Sequence, residues 1–192
     1  MILGKDVVLA SGSPRRQHLL LELVEDFEIF VPEVDEDSLT TSDPVQTAET
    51  LAEAKAVAVF EKRQEGFVIG GDTVVALPDE KGGFTLLGKP KHKKDAEKIL
   101  SQLSGRSHLV ITGVCFVWSG GKKTFSETSK VTFRTLDPAE IKAYVATGEP
   151  MDKAGAYASQ GGAAKFIESI EGSKFNVIGL PLERVQKEIE AL

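Results

Sequence analysis

The stretch that decides the fold is VVLASGSPRRQHLLLELV, residues 7–24. Its compact apolar run, Val7–Ala10, predicts a buried strand, and the leucines after Pro14 recur at helical spacing. We expect Ser13 to be the N-cap residue and Pro14 the first helical residue, where the missing amide hydrogen of proline does no harm. The stretch therefore predicts a strand, a small-residue loop and a helix, which is the repeating unit of α/β proteins.

Strands and helices alternate along the rest of the chain. Hydrophobic patterns and helix-start signals predict further strands over residues 27–31, 67–77, 84–87, 108–118, 122–136 and 166–170, and helices over residues 44–63, 91–103, from 138 onward and 181–192. Gly71 and Asp72 are expected to interrupt the strand at 67–77, and the acidic segment 32–43 is expected to be a loop. The pattern predicts an α/β fold with a long mixed β-sheet flanked by helices, in one domain over residues 1–192.

Composition argues against several classes of partner. The chain has 29 acidic and 23 basic residues, a net charge of −6, so it lacks the massed positive charge of a nonspecific nucleic-acid binder. The apolar run in MILGKDVVLA is too short for a signal peptide, and no run of about 18 apolar residues occurs, so neither export nor a membrane partner is expected. Cys115 is the only cysteine, which fits the reducing cytoplasm best.

The loop SGSPRR, residues 11–16, is the first candidate site. A strand end, a helix N-terminus and two guanidinium groups together favour a phosphate or another anion. An alternative is that Ser13 only caps the helix and both arginines lie in solvent, and the residues alone favour neither interpretation. The phosphate-loop and dinucleotide-binding fingerprints, GxxxxGK[ST] and GxGxxG, are both absent from the sequence.

Asp72 is the second candidate, because it interrupts the strongly apolar stretch VIGGDTVVAL, residues 68–77. A carboxylate buried there must be paired, hydrogen-bonded or metal-bound to offset its desolvation. An exposed turn aspartate is the less favoured alternative. Together with Asp72, the acidic run at residues 33–37 can hold a hard divalent cation, although spacing alone favours a solvated loop.

Two lysines and one glutamine complete the candidates. Lys55 stands alone in the alanine-rich segment LAEAKAVAVF, where the ordinary explanation is a side chain that reaches the surface. Lys89 is held between Gly88 and Pro90 just before a helix, in a position suited to a phosphate. Gln160 lies in a segment rich in glycine and alanine; its amide both donates and accepts, as a pyrimidine edge does, although capping of a turn is an equal alternative.

Four motifs in register resemble those of the Maf-like nucleoside triphosphate pyrophosphatases: LASGSPRR at 9–16, GGDTVV at 70–75, LSGRSHLVITGV at 103–114 and EPMDKAGAYASQGG at 149–162. The resemblance covers essentially the whole chain. It implies a cytoplasmic enzyme, usually a homodimer, that uses a divalent cation, Mg²⁺ or Mn²⁺, to cleave triphosphates into monophosphate and pyrophosphate. It also implies a fold similar to that of inosine triphosphate pyrophosphatases, with a ligand cleft across the sheet.

The resemblance assigns roles residue by residue. Asp72 matches the catalytic aspartate, Arg15, Thr73 and Gln160 match the specificity positions, and the remaining polar positions of the site match Ser11, Glu36, Lys55 and Lys89. We expect Glu36 and Asp72 at the metal, Lys55 and Lys89 on the triphosphate with Arg15, Ser11 and Ser13, and the base between Thr73 and Gln160. Whether Asp72 binds the metal, activates water or does both stays open.

The branch of the family that acts on dTTP and UTP has glutamine in the AYxxQG motif and lysine in the GKP motif, as this chain does at Gln160 and Lys89. The branch that prefers 7-methyl-GTP has an acidic residue in place of Gln160. Two alternatives stay open: a non-enzymatic nucleotide-binding regulator of septum formation, and a house-cleaning hydrolase of non-canonical nucleotides.

Overall fold

The computed structural model describes residues 6–192, and the strands in that range form one sheet. The strands are β1 (Val7–Ala10), β2 (Glu28–Ile29), β3 (Phe67–Pro78), β4 (Phe84–Leu86), β5 (Ser107–Trp118), β6 (Gly121–Phe133) and β7 (Ile167–Glu171). The helices are α1 (Pro14–Leu20), α2 (Glu36–Leu39), α3 (Pro44–Arg63), α4 (Lys93–Leu103), α5 (Pro138–Ala146), α6 (Lys174–Ile178) and α7 (Leu182–Glu190). Three short 3-10 helices lie at Glu149–Asp152, Ala154–Ala156 and Ala164–Phe166.

The sheet is mixed, as the sequence predicts. Its strand order is β2-β1-β3-β5-β6-β7, with β4 paired to β3. β1 runs parallel to β2 and β3, whereas the pairs β3–β4, β3–β5, β5–β6 and β6–β7 are antiparallel. Alternate residues of β1 face opposite layers: Val7 and Leu9 pack with Leu20 of α1 and Val185 of α7, while Val8 and Ala10 pack with the alanines of α3. Helices therefore flank both faces of the sheet.

One edge of β3 has an opening that positions the site. β1 pairs with this edge as far as Gly70, and β4 pairs with it from Ala76. Within the described residues, the positions between these two have no strand partner on that side. The other edge of β3 is paired with β5 from Val68 to Ala76 without a break. The opening leaves Asp72 and Thr73 on an unpaired part of the β3 edge, in the middle of the sheet.

Helix α3 packs unusually close to the strands beside this opening. A Cβ added at Gly70 would lie 2.3 Å from the carbonyl oxygen of Ala52, and one added at Gly113 would lie 2.2 Å from that of Ala48. Both distances are far inside van der Waals contact, so only glycine permits this approach. The helix begins where the sequence predicts, because the Asp43 carboxylate accepts hydrogen bonds from the first free amide groups.

Several sequence predictions of local structure are wrong in detail. β3 is not interrupted at Gly71 and Asp72, because its pairing with β5 continues through both. Residues 36–39 form the short helix α2 rather than a loop, with Asp35 as its cap. The predicted strand 27–31 shrinks to Glu28–Ile29, which pairs with only two residues of β1. Helix α6 is missed because five residues carry too little periodicity to predict one.

The remaining boundaries are closer to the predictions. α4 begins at Lys93 rather than at residue 91, capped by His92, and β6 ends at Phe133 rather than at residue 136, where its register with β7 shifts. α5 begins with the predicted capping box of Asp137 and Glu140. Across residues 6–192, no helix is both long enough and apolar enough to span a membrane.

The close packing of α3 predicts a large cost for a single methyl group. Gly113→Ala should lower the free energy of unfolding by about 1–3 kcal/mol, because the new Cβ must push the helix away from β5. Gly88→Ala is the matched control, since a Cβ there would meet nothing within 4 Å among the described residues. Urea denaturation followed by circular dichroism measures both changes, and equal stability of the two variants would contradict the packing argument.

Candidate functional site

A cavity of about 360 Å³ lies at the opening in β3. The segments that line it are residues 10–16, from the end of β1 to the first turn of α1, residues 31–32, parts of β3 and β5, and residues 152–154, 157–159 and 177–178; three single residues, Glu36, Lys55 and Lys89, complete the wall. Its size falls within the range of small-molecule sites. The cavity thus gathers segments that are distant in sequence around the unpaired edge of one strand.

Asp72 is buried at this edge, with 9% of its surface exposed, and is paired with a cation from α3. Lys55 Nζ lies 2.6 Å from Asp72 Oδ1 and 2.6 Å from Glu36 Oε1. The lysine side chain is itself only 13% exposed, so it bridges the two carboxylates and does not reach into solvent. The compensating partner that the sequence requires for Asp72 is therefore Lys55, and the close packing of α3 on the sheet brings it within reach.

Glu36 is half exposed and belongs to the same charged group. Burial alone would raise the pKa of its carboxyl group, but the hydrogen bond from Lys55 and the charges of Lys55, Lys89 and Arg16 outweigh it and lower the pKa. Glu36 is consequently a carboxylate at neutral pH. Lys89, although exposed, lies near enough to Glu36 to contribute to this shift.

Arg16, the second arginine of the loop SGSPRR, has no individual role predicted from the sequence. Its guanidinium donates to Gly179 O (2.9 Å), Ser11 Oγ (3.1 Å) and Thr73 Oγ1 (2.9 Å). Burial lowers the pKa of Arg16, the nearby Asp72 opposes this shift and Arg15 adds to it. Besides its place in the loop SGSPRR, the sequence signal for this position is Gly71, since a Cβ there would lie 3.2 Å from Arg16 Nε.

The loop before α1 takes a different local structure from the one expected. Ser13 occupies the N-cap position of α1, as predicted, but its side chain makes no capping hydrogen bond within the part of the chain that the structure describes. Instead its amide donates to Ser11 Oγ at 3.2 Å. Ser11, Ser13 and Arg15 all line the cavity. The pKa of the Asp152 carboxyl group, which also lines it, is lowered mainly by the hydrogen bond from Lys153 and in small part by the charge of Arg15.

Gln160 is the one predicted site residue that does not line the cavity. Its side chain is exposed, and its neighbour Ser159 forms the cavity wall in its place. The loop beyond it is held by Glu149, whose carboxylate accepts hydrogen bonds from Gly162 N (3.2 Å) and from Tyr144 Oη (3.0 Å). The other eight predicted residues, namely Ser11, Ser13, Arg15, Glu36, Lys55, Asp72, Thr73 and Lys89, all line the same cavity.

The cavity has two chemically different parts. Five basic side chains line it, Arg15, Arg16, Lys55, Lys89 and Lys153, against three acidic ones, Glu36, Asp72 and Asp152. A positive surplus of this kind favours a polyanion. Apolar walls from Val75, Val110 and Tyr157 form the rest, and Val75 and Val110 are neighbours across β3 and β5. The arrangement suits a ligand with a strongly anionic end and a flat, weakly polar end.

His108 lies behind the apolar wall and is completely buried. Its Nε2 is 2.7 Å from the hydroxyl of Tyr157, which lines the cavity, and the Phe133 ring packs edge-on against the imidazole. Burial lowers the pKa of His108 from 6.5 to about 4. The imidazole is therefore neutral at physiological pH and serves to fix Tyr157 in the wall.

A model of the family described as Maf-like protein matches residues 6–192. The chain belongs to the Maf-like family. It is 46% identical over 188 residues to the dTTP/UTP pyrophosphatase of Geobacillus sp. (strain WCH70), with 98% of each chain covered. It is 42% identical to the dTTP/UTP pyrophosphatase of Ruminiclostridium cellulolyticum (strain ATCC 35319 / DSM 5812 / JCM 6584 / H10), covering 98% of this chain and 96% of the relative. The family resemblance deduced from the four motifs is thus confirmed.

Solved structures of Ham1 proteins share the fold of this Maf-like protein. The Staphylococcus aureus Ham1 protein aligns with a TM-score of 0.53 at 17% identity, covering 97% of this chain and 99% of that one. A HAM1 protein from Coxiella burnetii aligns with a TM-score of 0.51 at 16% identity, covering 97% and 98%. The expected α/β fold, similar to that of inosine triphosphate pyrophosphatases, is confirmed; at this identity the likeness concerns the fold alone.

The buried imidazole predicts how stability of the Maf-like protein depends on pH. Because the folded pKa of His108 is about 4 and the unfolded value about 6.5, the unfolded chain binds more protons between these values, so stability falls as pH falls through this window. Between about pH 7 and 4.5 the loss from His108 should be roughly 2–3 kcal/mol.

The variant His108→Gln tests this contribution, because it keeps a polar partner for Tyr157 without a titratable ring. It should lose less stability than the wild type on acidification, whereas His18→Gln, at an exposed position, should lose as much as the wild type. Urea denaturation at the two pH values measures the difference. Equal losses in all three proteins would contradict the assignment.

Proposed function

We propose that this chain is a nucleoside triphosphate pyrophosphatase that hydrolyses dTTP and UTP to the monophosphate and pyrophosphate. The observation that carries the proposal is a buried carboxylate, Asp72, held by Lys55 in a cavity with a surplus of positive charge. A protein that only binds nucleotides needs the cations but has no need of a carboxylate fixed among them. Relatives that are 46% and 42% identical over nearly their whole length are named dTTP/UTP pyrophosphatases, which supports the same reaction and the same substrates.

The triphosphate is proposed to lie at the charged end of the cavity. Arg15, Lys89 and the amides that follow Ser11 would bind its oxygens, with Ser13 in the same loop. Arg16 is already bonded to Gly179, Ser11 and Thr73, so its main effect is to fix the loop and to add positive charge. Such charge stabilises the pyrophosphate as it leaves, which is the principal requirement in cleaving a phosphoanhydride.

Asp72 is proposed to accept the proton of the attacking water. As the water oxygen bonds to the α-phosphorus, the bond from that phosphorus to the bridging oxygen breaks and pyrophosphate departs with the electron pair. Lys55 holds one carboxylate oxygen of Asp72 at 2.6 Å, which leaves the two lone pairs of the other oxygen for the water and for a bound cation. Lys55 thereby orients the base as well as adding charge to the site.

Glu36 and Asp72 are proposed to hold a divalent cation, Mg²⁺ or Mn²⁺. In residues 6–192 no group of three or more His, Cys, Asp or Glu side chains is placed to hold a metal ion, so the protein would supply two carboxylates and the triphosphate and water the remaining ligands. Hard carboxylate oxygens match the preference of Mg²⁺, which usually takes one or two carboxylates together with substrate phosphates. When bound, the cation would neutralise phosphate charge and acidify water.

The base is proposed to lie against the apolar wall, with Thr73 and Gln160 as the residues that distinguish it. Thr73 lines the cavity. Gln160 follows Ser159 of the wall, so a movement of this loop would carry its amide toward the edge of a bound pyrimidine. An amide donates and accepts at once, as the edges of uracil and thymine require.

The proposal extends to the setting of the enzyme. We infer a cytoplasmic homodimer without a nucleic-acid partner, in which hydrolysis of modified pyrimidine triphosphates, a house-cleaning role, accompanies the action on dTTP and UTP. The single buried cysteine and the net charge of −6 are consistent with this setting.

The first test is release of pyrophosphate from a panel of the common ribo- and deoxyribonucleoside triphosphates with Mg²⁺ or Mn²⁺. Selective release from dTTP and UTP is expected. Asp72→Asn should reduce turnover by about a thousandfold because it removes the proton acceptor, while leaving nucleotide affinity measured by calorimetry largely intact. Asp79→Asn, an equal charge change in the exposed turn after β3, is the control and should be fully active.

Three results would contradict parts of this proposal. Near-normal turnover by Asp72→Asn would remove Asp72 from the chemistry. Absence of release from every triphosphate would instead favour the nucleotide-binding regulator, and preference for purines would retain the enzyme and exclude the pyrimidine assignment.

Metal removal gives an independent prediction. Dialysis against EDTA should abolish pyrophosphate release, and added Mg²⁺ or Mn²⁺ should restore it. Glu36→Gln should raise the Mg²⁺ concentration for half-maximal release several-fold, because one carboxylate ligand is lost. Binding of Mn²⁺ in the presence of nucleotide, followed by electron paramagnetic resonance, should weaken in the same variant; unchanged Mn²⁺ affinity would exclude Glu36 as a ligand.

A further inference from the structure

A continuous set of hydrogen bonds leads from the cavity into the interior of the sheet. Arg16 Nη2 donates to Thr73 Oγ1 at 2.9 Å, and Thr73 Oγ1 lies 3.0 Å from Thr112 Oγ1, its neighbour across β3 and β5. Thr112 Oγ1 in turn donates to the main-chain oxygen of Asn176 at 2.9 Å. Thr112 and Asn176 are fully buried and touch no part of the cavity, so nothing in the proposed reaction uses them directly.

The chemistry of these groups fixes the direction of every hydrogen bond in the set. A main-chain carbonyl oxygen only accepts, so the single hydroxyl hydrogen of Thr112 points to Asn176. Thr112 must then accept from Thr73, which commits the single hydrogen of Thr73 to this bond. Arg16 only donates, so Thr73 accepts from it. The Thr73 hydroxyl therefore has no hydrogen left for a ligand and retains one lone pair.

Asn176 cannot turn to allow a different arrangement. Its Oδ1 accepts from Thr112 N at 3.1 Å, and its Nδ2 donates to Val110 O and to Ser129 Oγ, both at 2.9 Å. Rotating the amide by half a turn would place two acceptors, Oδ1 and Val110 O, against each other. The main-chain amide of Asn176 is also bonded, to Ser173 Oγ at 3.2 Å. These bonds hold Asn176 in place, so its main-chain oxygen stays in position to accept the hydrogen bond from Thr112.

We propose that Thr112 and Asn176 are positioning residues that hold the half-buried Thr73 hydroxyl as a pure hydrogen-bond acceptor toward the nucleoside. The inference rests on the proposed function and specifies how the Thr73 position selects a substrate. The matching group is a donor: the imino N–H of uracil or thymine, or the 3′-hydroxyl of the sugar. Cytosine carries an acceptor where uracil carries the imino N–H, and a 3′-deoxy nucleotide has no 3′-hydroxyl. The choice of substrate therefore removes each of the two donors separately.

The variant that tests this inference is Thr112→Val, which preserves shape and removes the hydroxyl. The Thr73 hydrogen is then free to point into the cavity, and the site loses its preference for a donor. Replacement of Asn176 is less useful because it leaves several buried groups without partners and threatens folding. Thr112→Ser restores the hydroxyl, and Ser129→Ala is the matched control, because it removes a buried hydroxyl on the other side of Asn176 without touching Thr73.

The measurement is kcat/KM for UTP against CTP, and for dTTP against 2′,3′-dideoxy-TTP, with melting temperatures in parallel. We expect Thr112→Val to lower one of these two ratios about tenfold. A fall in the first ratio identifies the imino N–H as the donor, and a fall in the second identifies the 3′-hydroxyl. Thr112→Ser should return the ratio to the wild-type value, while Ser129→Ala should lower the melting temperature and leave both ratios unchanged.

Three outcomes would overturn the inference. If Thr112→Val is merely less stable and keeps both ratios within about twofold of the wild type, Thr112 is structural only. If Ser129→Ala lowers a ratio as much as Thr112→Val does, general loosening explains the effect. Neither result touches the proposed function, since the wild type still releases pyrophosphate selectively; a wild type that releases none from any triphosphate would overturn both.

Discussion

The structure depends on the burial of one carboxylate, Asp72, and on the lysine that neutralises it. An isolated carboxylate at 9% exposure would cost several kcal/mol, so a cation must come within contact distance from a neighbouring element. Lys55 meets this need at 2.6 Å only because α3 lies against the sheet with no side chains in between at Gly70 and Gly113. The alanine-rich face of α3 and the glycines of the strands are therefore what allow Lys55 to neutralise the buried carboxylate.

The opening in the edge of β3 gives a ligand access to Asp72. A strand buried in the middle of a sheet ordinarily has neighbours on both sides, and Asp72 would then be closed off from any ligand. Here the pairing of β3 with β1 ends at Gly70 and its pairing with β4 begins at Ala76, so the edge between these two positions faces the cavity. Arg16 reaches across Gly71 into this opening and ties the loop after β1 to Thr73 and to Gly179. A gap in the sheet is thus filled by charged and hydroxyl groups instead of a strand.

The sequence predicted the architecture well and the site in large part, and its failures have physical causes. Asp72 was recognised because an acid in an apolar run needs a partner, yet that argument could not say which of the chain's cations is the partner. The strand was expected to break at Gly71 and Asp72, although pairing with β5, which no local pattern reveals, carries it through. Arg15 and Arg16 are adjacent and identical in type, so only tertiary structure shows that Arg16 is the one bonded to Ser11 and Thr73. Gln160 is predicted from its amide chemistry and from the resemblance, but neither shows that its side chain is exposed, next to a loop that Glu149 holds at Gly162.

The group of Lys55, Glu36 and Asp72 is better explained by a chemical role in the cavity than by a contribution to stability. Buried ion pairs often contribute nothing net when compared with apolar side chains of similar volume, because desolvation offsets their attraction. The surrounding core of Val8, Ile69 and Phe116 shows that the sheet can be packed with apolar residues alone. A fold that needed only stability would have no reason to keep two carboxylates and a lysine beside the unpaired stretch of β3. Their placement there, within a cavity that also gathers four other cations, gives this α/β fold a cavity whose charge suits a polyanion.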